Sequence, residues 1–323
     1  MNKKILSPRL AVCAIILTVM AVFILYSDIY VDSVRAGLSL YVVSVLPATF
    51  PFFFFSKLLT ELDFASDLTS LTEKPLRFLY RSSPPSGYIL VMSMLCGYPV
   101  GARLISEFYV AGQIDEKEAK RTVSFTSFGS PIFIIGTVGV AMLKSKPFGF
   151  ILLAAHYFGT ICNGLLYRGK KSERKSVFLP GAAGGDLLNK SMTETLLSIG
   201  IVGGFIVLFN LLIDMADQTE LLSPLVCFLS LLKIPSRLSE GFLFGLIEMT
   251  RGCKILSDLS LPTRFLLPAC SFLLTFGGLS VTFQSLTYLS KIKISPAYYL
   301  LTKLTQGILS AIFAFLLCSL FGL

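Results

Sequence analysis

The sequence predicts an all-α polytopic membrane protein. It is built from two structural repeats, with broken or re-entrant helices meeting near the bilayer midplane. Three observations carry this reading. Of 323 residues, 54% are hydrophobic and only 15% are charged, against about 25% charged in soluble domains, and the mean hydropathy is +0.76. Several apolar runs reach the roughly 20 residues that a membrane helix needs. Some of these runs are interrupted near their middle by glycine, proline, hydroxyls and fixed charge, at corresponding places in the two halves. The net charge of +9 sits in short loops between apolar runs, the sign of cytoplasmic loops and not of a nucleic-acid partner.

At the N-terminus Lys3, Lys4 and Arg9 precede the apolar run 10–26. No small-x-small cleavage site follows, so this reads as an uncleaved first helix with a cytoplasmic N-terminus. Residues 27–36, with Asp28 and Asp32, read as a short external loop that closes an N-terminal unit, 1–36. Residues 37–60 cross back; Pro47 and Pro51 make this a kinked, packed helix. Residues 61–86 are amphipathic, carry Lys74, Arg77 and Arg81, and suit a helix on the cytoplasmic interface.

The run 87–113 is of spanning length, yet it contains Cys96-Gly97-Tyr98-Pro99-Val100-Gly101-Ala102-Arg103. Proline removes a backbone donor and disfavours helix at the residue before it. Broken backbone at membrane depth survives only where protein or a water-filled cavity covers it, and an intramembrane cation marks a functional site by default. The alternative is a kinked packing helix with Arg103 snorkelling to the headgroups. After a charged loop, 115–121, the segment 122–143 is interrupted by Ser124-Phe125-Thr126-Ser127-Phe128-Gly129-Ser130-Pro131. Residues 147–167 form a full span with His156 and Asn163. The basic run from Arg168 to Lys175 closes a first repeat, 37–176, and 177–190 reads as the linker to a second repeat, 191–323.

The second half follows the same order: a span at 191–213, a short segment at 221–234, an interrupted segment with Glu248-Met249-Thr250-Arg251-Gly252-Cys253-Lys254, another with Thr275-Phe276-Gly277-Gly278-Leu279-Ser280, and a closing span at 296–321. Gly101-Ala102-Arg103 aligns with Gly252-Cys253-Lys254, and Phe128-Gly129-Ser130 with Phe276-Gly277-Gly278. Paired interruptions at matching positions point to a transporter site. If 221–234 lies in the interface, the halves are inverted and Lys291 and Lys293 face the cytoplasm; if it spans, they are parallel and Lys233 and Arg237 do. Lys144 and Lys146 fit poorly in either case. We expect inversion.

Enzymatic chemistry finds no support. The seven cysteines are scattered singly and lack metal-ligand spacing, and His156 is the single histidine. There is no phosphate loop after a strand and no nucleophile elbow. No cofactor, metal or catalytic residue is expected.

The strings Gly97-Tyr98-Pro99-Val100-Gly101-Ala102-Arg103, Ser124-Phe125-Thr126, Ala155-His156-Tyr157, Glu248-Met249-Thr250-Arg251-Gly252 and Phe276-Gly277-Gly278-Leu279-Ser280 resemble the YlbJ-type sporulation integral membrane proteins, also called stage V sporulation protein V. These belong to the nucleoside-recognition or gate domain superfamily. The resemblance runs from about Gly37 to the C-terminus. It implies a transporter of dipicolinic acid in the mother-cell-derived membrane around the forespore. Where the family pattern has Gly-Ala-Lys, this chain has Gly252-Cys253-Lys254, which keeps the cation.

Dipicolinate is a flat dianion, and a dianion in a low-dielectric site needs countercharge. Arg103 and Lys254 are expected to supply it, one from each repeat. Gly97, Gly101, Gly129, Gly252, Gly277 and Gly278 would let backbone approach the solute, with Tyr98 and Pro99 shaping the break. Ser124, Thr126, Ser127, Ser130, Thr250 and Ser280 would donate hydrogen bonds. Phe128 and Phe276 are expected to pack rather than stack on the solute. Glu107, four residues after Arg103, could pair with it instead. Glu248, protonated when buried, or His156 could carry a coupling proton, though a histidine satisfied by packing is the simpler expectation. Alternatives are a gate-domain transporter of another solute such as a nucleoside, and a non-transporting spore-envelope assembly protein. Partners beyond the solute and the lipid bilayer are limited to a homo-oligomer, which the sequence leaves open.

Overall fold

The computed structural model describes residues 8–62, 64–169, 186–231 and 233–323. Lys3, Lys4, the basic residues from Lys170 to Lys175 and most of the expected linker lie outside the described residues. Among the described residues, all regular structure is helical. Five helices are long and apolar enough to cross a membrane: Ser27–Glu61, Lys146–Leu166, Leu187–Gln218, Thr263–Leu289 and Pro296–Leu320.

The first helix, α1 (Pro8–Leu25), is followed by α2 (Ser27–Ser39). The stretch 27–36, expected as a loop, is therefore helical, and it continues through a π-helical turn, Leu40–Val45, into α3 (Leu46–Glu61). The charges that suggested a loop lie on one exposed face, where Arg35 and Asp32 pair at 2.7 Å. Tyr30, Ser33 and Gly37, at helical spacing, are buried. Gly37 seats on α9 (Leu187–Gln218), where an added Cβ would meet Val207 Cα at 3.1 Å. Pro47 offers no N–H to the preceding turn, and the helix there widens: Leu46 N–H reaches Tyr41 O, five residues back.

Helix α4 (Phe64–Leu79) packs on α5 (Pro85–Cys96), with Gly87 seated against Thr72 and Leu76. Leu71 and Phe78 point outward and are exposed, as suits a helix lying on a membrane surface.

Each expected interruption is a break in the helices. Helix α5 ends at Cys96, Gly97 takes φ +85°, the Tyr98–Pro99 bond is cis, and α6 (Val100–Val110) follows. Helix α7 (Glu116–Val123) gives way at Ser124, and helix resumes at Pro131 and opens into a π-helical stretch, Phe133–Met142, before α8 (Lys146–Leu166). In the second half α10 (Ser223–Leu231) precedes α11 (Ser236–Ile247) and α12 (Met249–Ser257). The last two form a tight hairpin: Gly241 faces Ile255 and Leu256, and a Cβ on Gly252 would come within 2.7 Å of Gly245 N. Twelve residues of α11 rise about 18 Å, roughly half of a membrane's thickness. Gly277 and Gly278, at φ +81° and +68°, separate α13 (Thr263–Phe276) from α14 (Gly278–Leu289). These left-handed values suit glycine alone among the residue types without strain.

The closing helix α15 (Pro296–Leu320) packs along α8 and α13. Close approach is set by Gly159, whose Cβ would meet Ser310 N at 2.7 Å. Along the chain, α9 and the short α10 precede the helix pairs α11–α12 and α13–α14, and α15 follows them. One buried apolar cluster draws on both, from Val45 to Cys318.

Candidate functional site

Tyr98 is where the breaks meet. Its backbone N–H donates to Phe128 O at 2.5 Å, joining the first break to the second. Its hydroxyl lies 2.8 Å from Met249 Sδ, at the tip of the α11–α12 hairpin, and 3.2 Å from Leu274 O near the end of α13. Lys303 Nζ sits 5.7 Å from the centre of its ring. One residue thus links the first break to the α11–α12 hairpin tip and to the last turn of α13.

Lys303 is the cation that the sequence reading passed over. It projects from α15, is 1% exposed, and donates to Ser127 Oγ at 3.0 Å and Gln306 Oε1 at 3.2 Å. Among the described residues, no carboxylate lies within ion-pair distance of it. Gln306 in turn donates to Ser127 O at 2.7 Å and to Thr160 Oγ1 at 2.5 Å. Desolvating an ammonium costs several kcal/mol; two neutral oxygens and a ring face offset only part of that. A signal was present: Tyr299, Thr302, Lys303, Gln306 and Ser310 recur at helical spacing as a buried polar stripe in an apolar span.

His156 has both ring nitrogens engaged. Gly129 N–H donates to Nε2 at 2.8 Å. A backbone N–H can only donate, so Nε2 is the unprotonated nitrogen and Nδ1 carries the hydrogen. Nδ1 lies 2.7 Å from Thr275 Oγ1, which donates to Ser310 Oγ at 2.8 Å. The imidazole is a neutral pin between the halves. In this arrangement the ring is held on both nitrogens, by Gly129 and Thr275.

A small pocket lies at the first break. Gly97, Tyr98 and Ser130 line it from one half, and Glu248, Thr250 and Gln284 from the other. Its free space is about 30 Å³, room for one or two waters. Thr250 is buried, with its side chain beside the Glu248 carboxylate. Glu248 is buried and caps α12, accepting from Arg251 N–H at 2.8 Å, so its carboxylate already occupies that helix start. Ser280 accepts from Gln284 Nε2 at 3.2 Å. Pro99, Gly101, Thr126 and Ser127 line a narrower cleft with Tyr299.

Other expected residues make contacts within the fold. Ser124 Oγ donates to Arg121 O at 2.7 Å, and Ser124 O accepts from Asn163 Nδ2 at 2.8 Å. Gly252 closes the hairpin, and Gly278 lets α14 approach Ile247 O, which a Cβ would meet at 2.8 Å. Gly277 supplies the turn before it. Phe128 packs edge-on against His156 and Tyr157, and Phe276 stacks on Phe272.

The expected pairing of Arg103 with Lys254 is not formed. The Lys254 side chain is 54% exposed and held by Asp258 at 2.6 Å. Helix α12 turns Gly252 and Cys253 into the hairpin, and at 3.6 residues per turn the next side chain faces outward. Arg103 is buried, its side chain 5% exposed, with Nε 3.9 Å from Glu107 Oε1. That separation is an ion pair beyond hydrogen-bond length, and among the described residues Nε and Nη2 have no hydrogen-bond partner. Arg103 faces a separate, wider pocket of about 560 Å³ beside Tyr288 and Lys291. Arg251, unassigned from the sequence, pairs with Asp214 at 2.6 Å.

Over 315 residues the chain is 31% identical to the sporulation integral membrane protein YlbJ of Bacillus subtilis (strain 168), a match covering 88% of this chain and 77% of that protein. No family model matches the chain, and no solved structure matches it.

Proposed function

The chain belongs to the family of the sporulation integral membrane protein YlbJ, and on that premise we propose that it moves a small anionic aromatic solute, dipicolinate in the first instance, across the membrane that surrounds the developing spore. The observation that carries this reading is Lys303: a fully buried lysine held by Ser127, Gln306 and the Tyr98 ring, with no carboxylate within ion-pair distance among the described residues. A membrane protein keeps such a charge at high cost unless function uses it. A solute carboxylate reaching Lys303 would exchange two neutral acceptors for an opposite charge in a dry site, where the attraction is strong.

The site combines Lys303 and Ser127 with Ser130, Thr250 and Gln284 around Tyr98. With about 30 Å³ free, this conformation is closed around the centre, and passage requires the Tyr98 contacts to Met249 and Leu274 to part. Those contacts join the two halves, so parting them is a movement of one half on the other, the alternating-access mode of repeat-built transporters. We take the halves as inverted and the α11–α12 hairpin as re-entrant, with Lys291 and Lys293 cytoplasmic. The protein does no covalent chemistry in this reading.

A second reading, transport of an uncharged polar solute such as a nucleoside, is favoured by the Glu248, Thr250 and Gln284 lining of the central pocket. Uptake of labelled dipicolinate and of labelled nucleoside into vesicles holding the purified protein separates the two. Saturable dipicolinate uptake that Lys303→Gln abolishes supports the first; nucleoside uptake indifferent to Lys303→Gln supports the second and overturns the first.

A further inference from the structure

We propose that the wide pocket at Arg103 is an anion-collecting vestibule that captures a carboxylate before it reaches the centre; this rests on the transport reading above and adds an entry route and a first binding residue to it. The first observation is unmet bonding. The Arg103 guanidinium is 5% exposed and lines the pocket, yet Nε and Nη2 make no hydrogen bond among the described residues. Buried donors left unmade are costly, and a planar fork of N–H groups matches a carboxylate bidentately. Glu107 does not fill this role. Its Oε1 stands 3.9 Å from Arg103 Nε and 4.0 Å from Lys57 Nζ, and its side chain is 36% exposed, so it tempers the charge without satisfying the donors. Lys291 adds a second cation to the wall, and Glu194 a second acid.

The second observation is continuity. The central pocket and this one share two walls, α9 and α14, in consecutive helical turns. Along α14 the lining steps from Gln284 to Tyr288, and then to Lys291 just past its end; along α9 it steps back from Val202 to Ser198 to Glu194. The first break supplies Gly97 and Tyr98 to the inner pocket, and α6 supplies Arg103 to the outer one. The two pockets therefore lie end to end along one seam. The outer one, about 560 Å³, is in the size range of small-ligand sites; the inner one is closed. A small aromatic carboxylate would dock its charge on Arg103, with the Tyr288 ring as side wall, and pass inward to Lys303 when Tyr98 yields.

The test places a cysteine at Ser198 in a full-length protein whose Cys13, Cys162 and Cys227 are replaced by serine. Labelling rates in detergent are compared for an anionic (sulfonatoethyl) and a cationic (trimethylammonioethyl) methanethiosulfonate. In parallel, dipicolinate uptake into vesicles is measured for the wild type and Arg103→Gln, Arg103→Lys and Glu107→Gln. Expected are faster anionic than cationic labelling, slowed by dipicolinate, a preference that falls by about tenfold in Arg103→Gln, and a KM for uptake raised at least about tenfold at little-changed maximal rate, the factor that loss of a charge-assisted pair carries. Arg103→Lys restores part of the affinity, and Glu107→Gln lowers KM. Equal labelling by the two reagents, no labelling at all, or a KM unchanged in Arg103→Gln overturns the vestibule. An anionic preference that depends on Arg103 in a protein that moves no dipicolinate keeps the vestibule and removes the proposed solute.

Discussion

Replacing Lys303 by methionine separates function from stability, because the two effects have different sources. Methionine keeps the length of the side chain and removes the charge. Two charge-assisted hydrogen bonds, to Ser127 Oγ at 3.0 Å and Gln306 Oε1 at 3.2 Å, are lost at about 1.5–3 kcal/mol each. Against that, the protein no longer desolvates an ammonium, a cost of several kcal/mol. Ser127 keeps a contact with Tyr299 at 3.4 Å and Gln306 keeps its bonds to Ser127 O and Thr160, so no group is orphaned except one amide oxygen. The folded state should change by no more than about 2 kcal/mol in either direction. Transport has no such compensation. At 4 Å and an effective dielectric of 20, the lost attraction for a carboxylate is about 4 kcal/mol, on the order of a thousandfold in affinity. Dipicolinate uptake into vesicles, alongside thermal unfolding in detergent, reads both. A Lys303→Met protein that melts near the wild type and takes up nothing fits this reasoning. One that melts far earlier but, at low temperature, transports at the normal rate would refute it, since Lys303 would then be a structural group only.

Three further outcomes follow from the placement of side chains. Lys254→Ala should leave uptake and stability almost unchanged, within about 0.5 kcal/mol, because the lysine is an exposed partner of Asp258; a large loss of uptake would restore it to the site. His156→Ala should lower thermal stability by about 2–4 kcal/mol, since it leaves the Gly129 N–H and Thr275 hydroxyl in place without their buried partner; an unchanged melting temperature would contradict the pin. Gly252→Val should destabilise by about 3 kcal/mol or more, since the hairpin brings Gly245 backbone against that position, and its proteolysis in the membrane should quicken; normal stability would mean that the hairpin opens readily.

The breaks were legible because their signal is local. Glycine, proline and hydroxyls inside an apolar run weaken helix wherever they fall, and Gly97–Pro99, 124–130, Glu248 and Gly277 all interrupt helices as expected. The cations were not legible in the same way. Which side of a helix Lys254 occupies depends on how α12 folds back through Gly252, and no short string encodes that. Residues 27–36 read as a loop because Asp28 and Asp32 suggest solvent, while the deciding fact is the buried face of Tyr30, Ser33 and Gly37, with Gly37 seated on α9 more than 150 residues away. Lys303 carries a sequence signal of another kind, a polar stripe along an unbroken apolar helix, which helix interruptions do not mark.

The measurement that bears most directly on the site is an experimental structure with dipicolinate bound. We expect one carboxylate within about 3 Å of Lys303 Nζ, Ser127 and Gln306 released from that nitrogen, and Tyr98 withdrawn from Met249. Dipicolinate found elsewhere, with Lys303 still bonded to Ser127 and Gln306, would show that the buried lysine does not serve the solute.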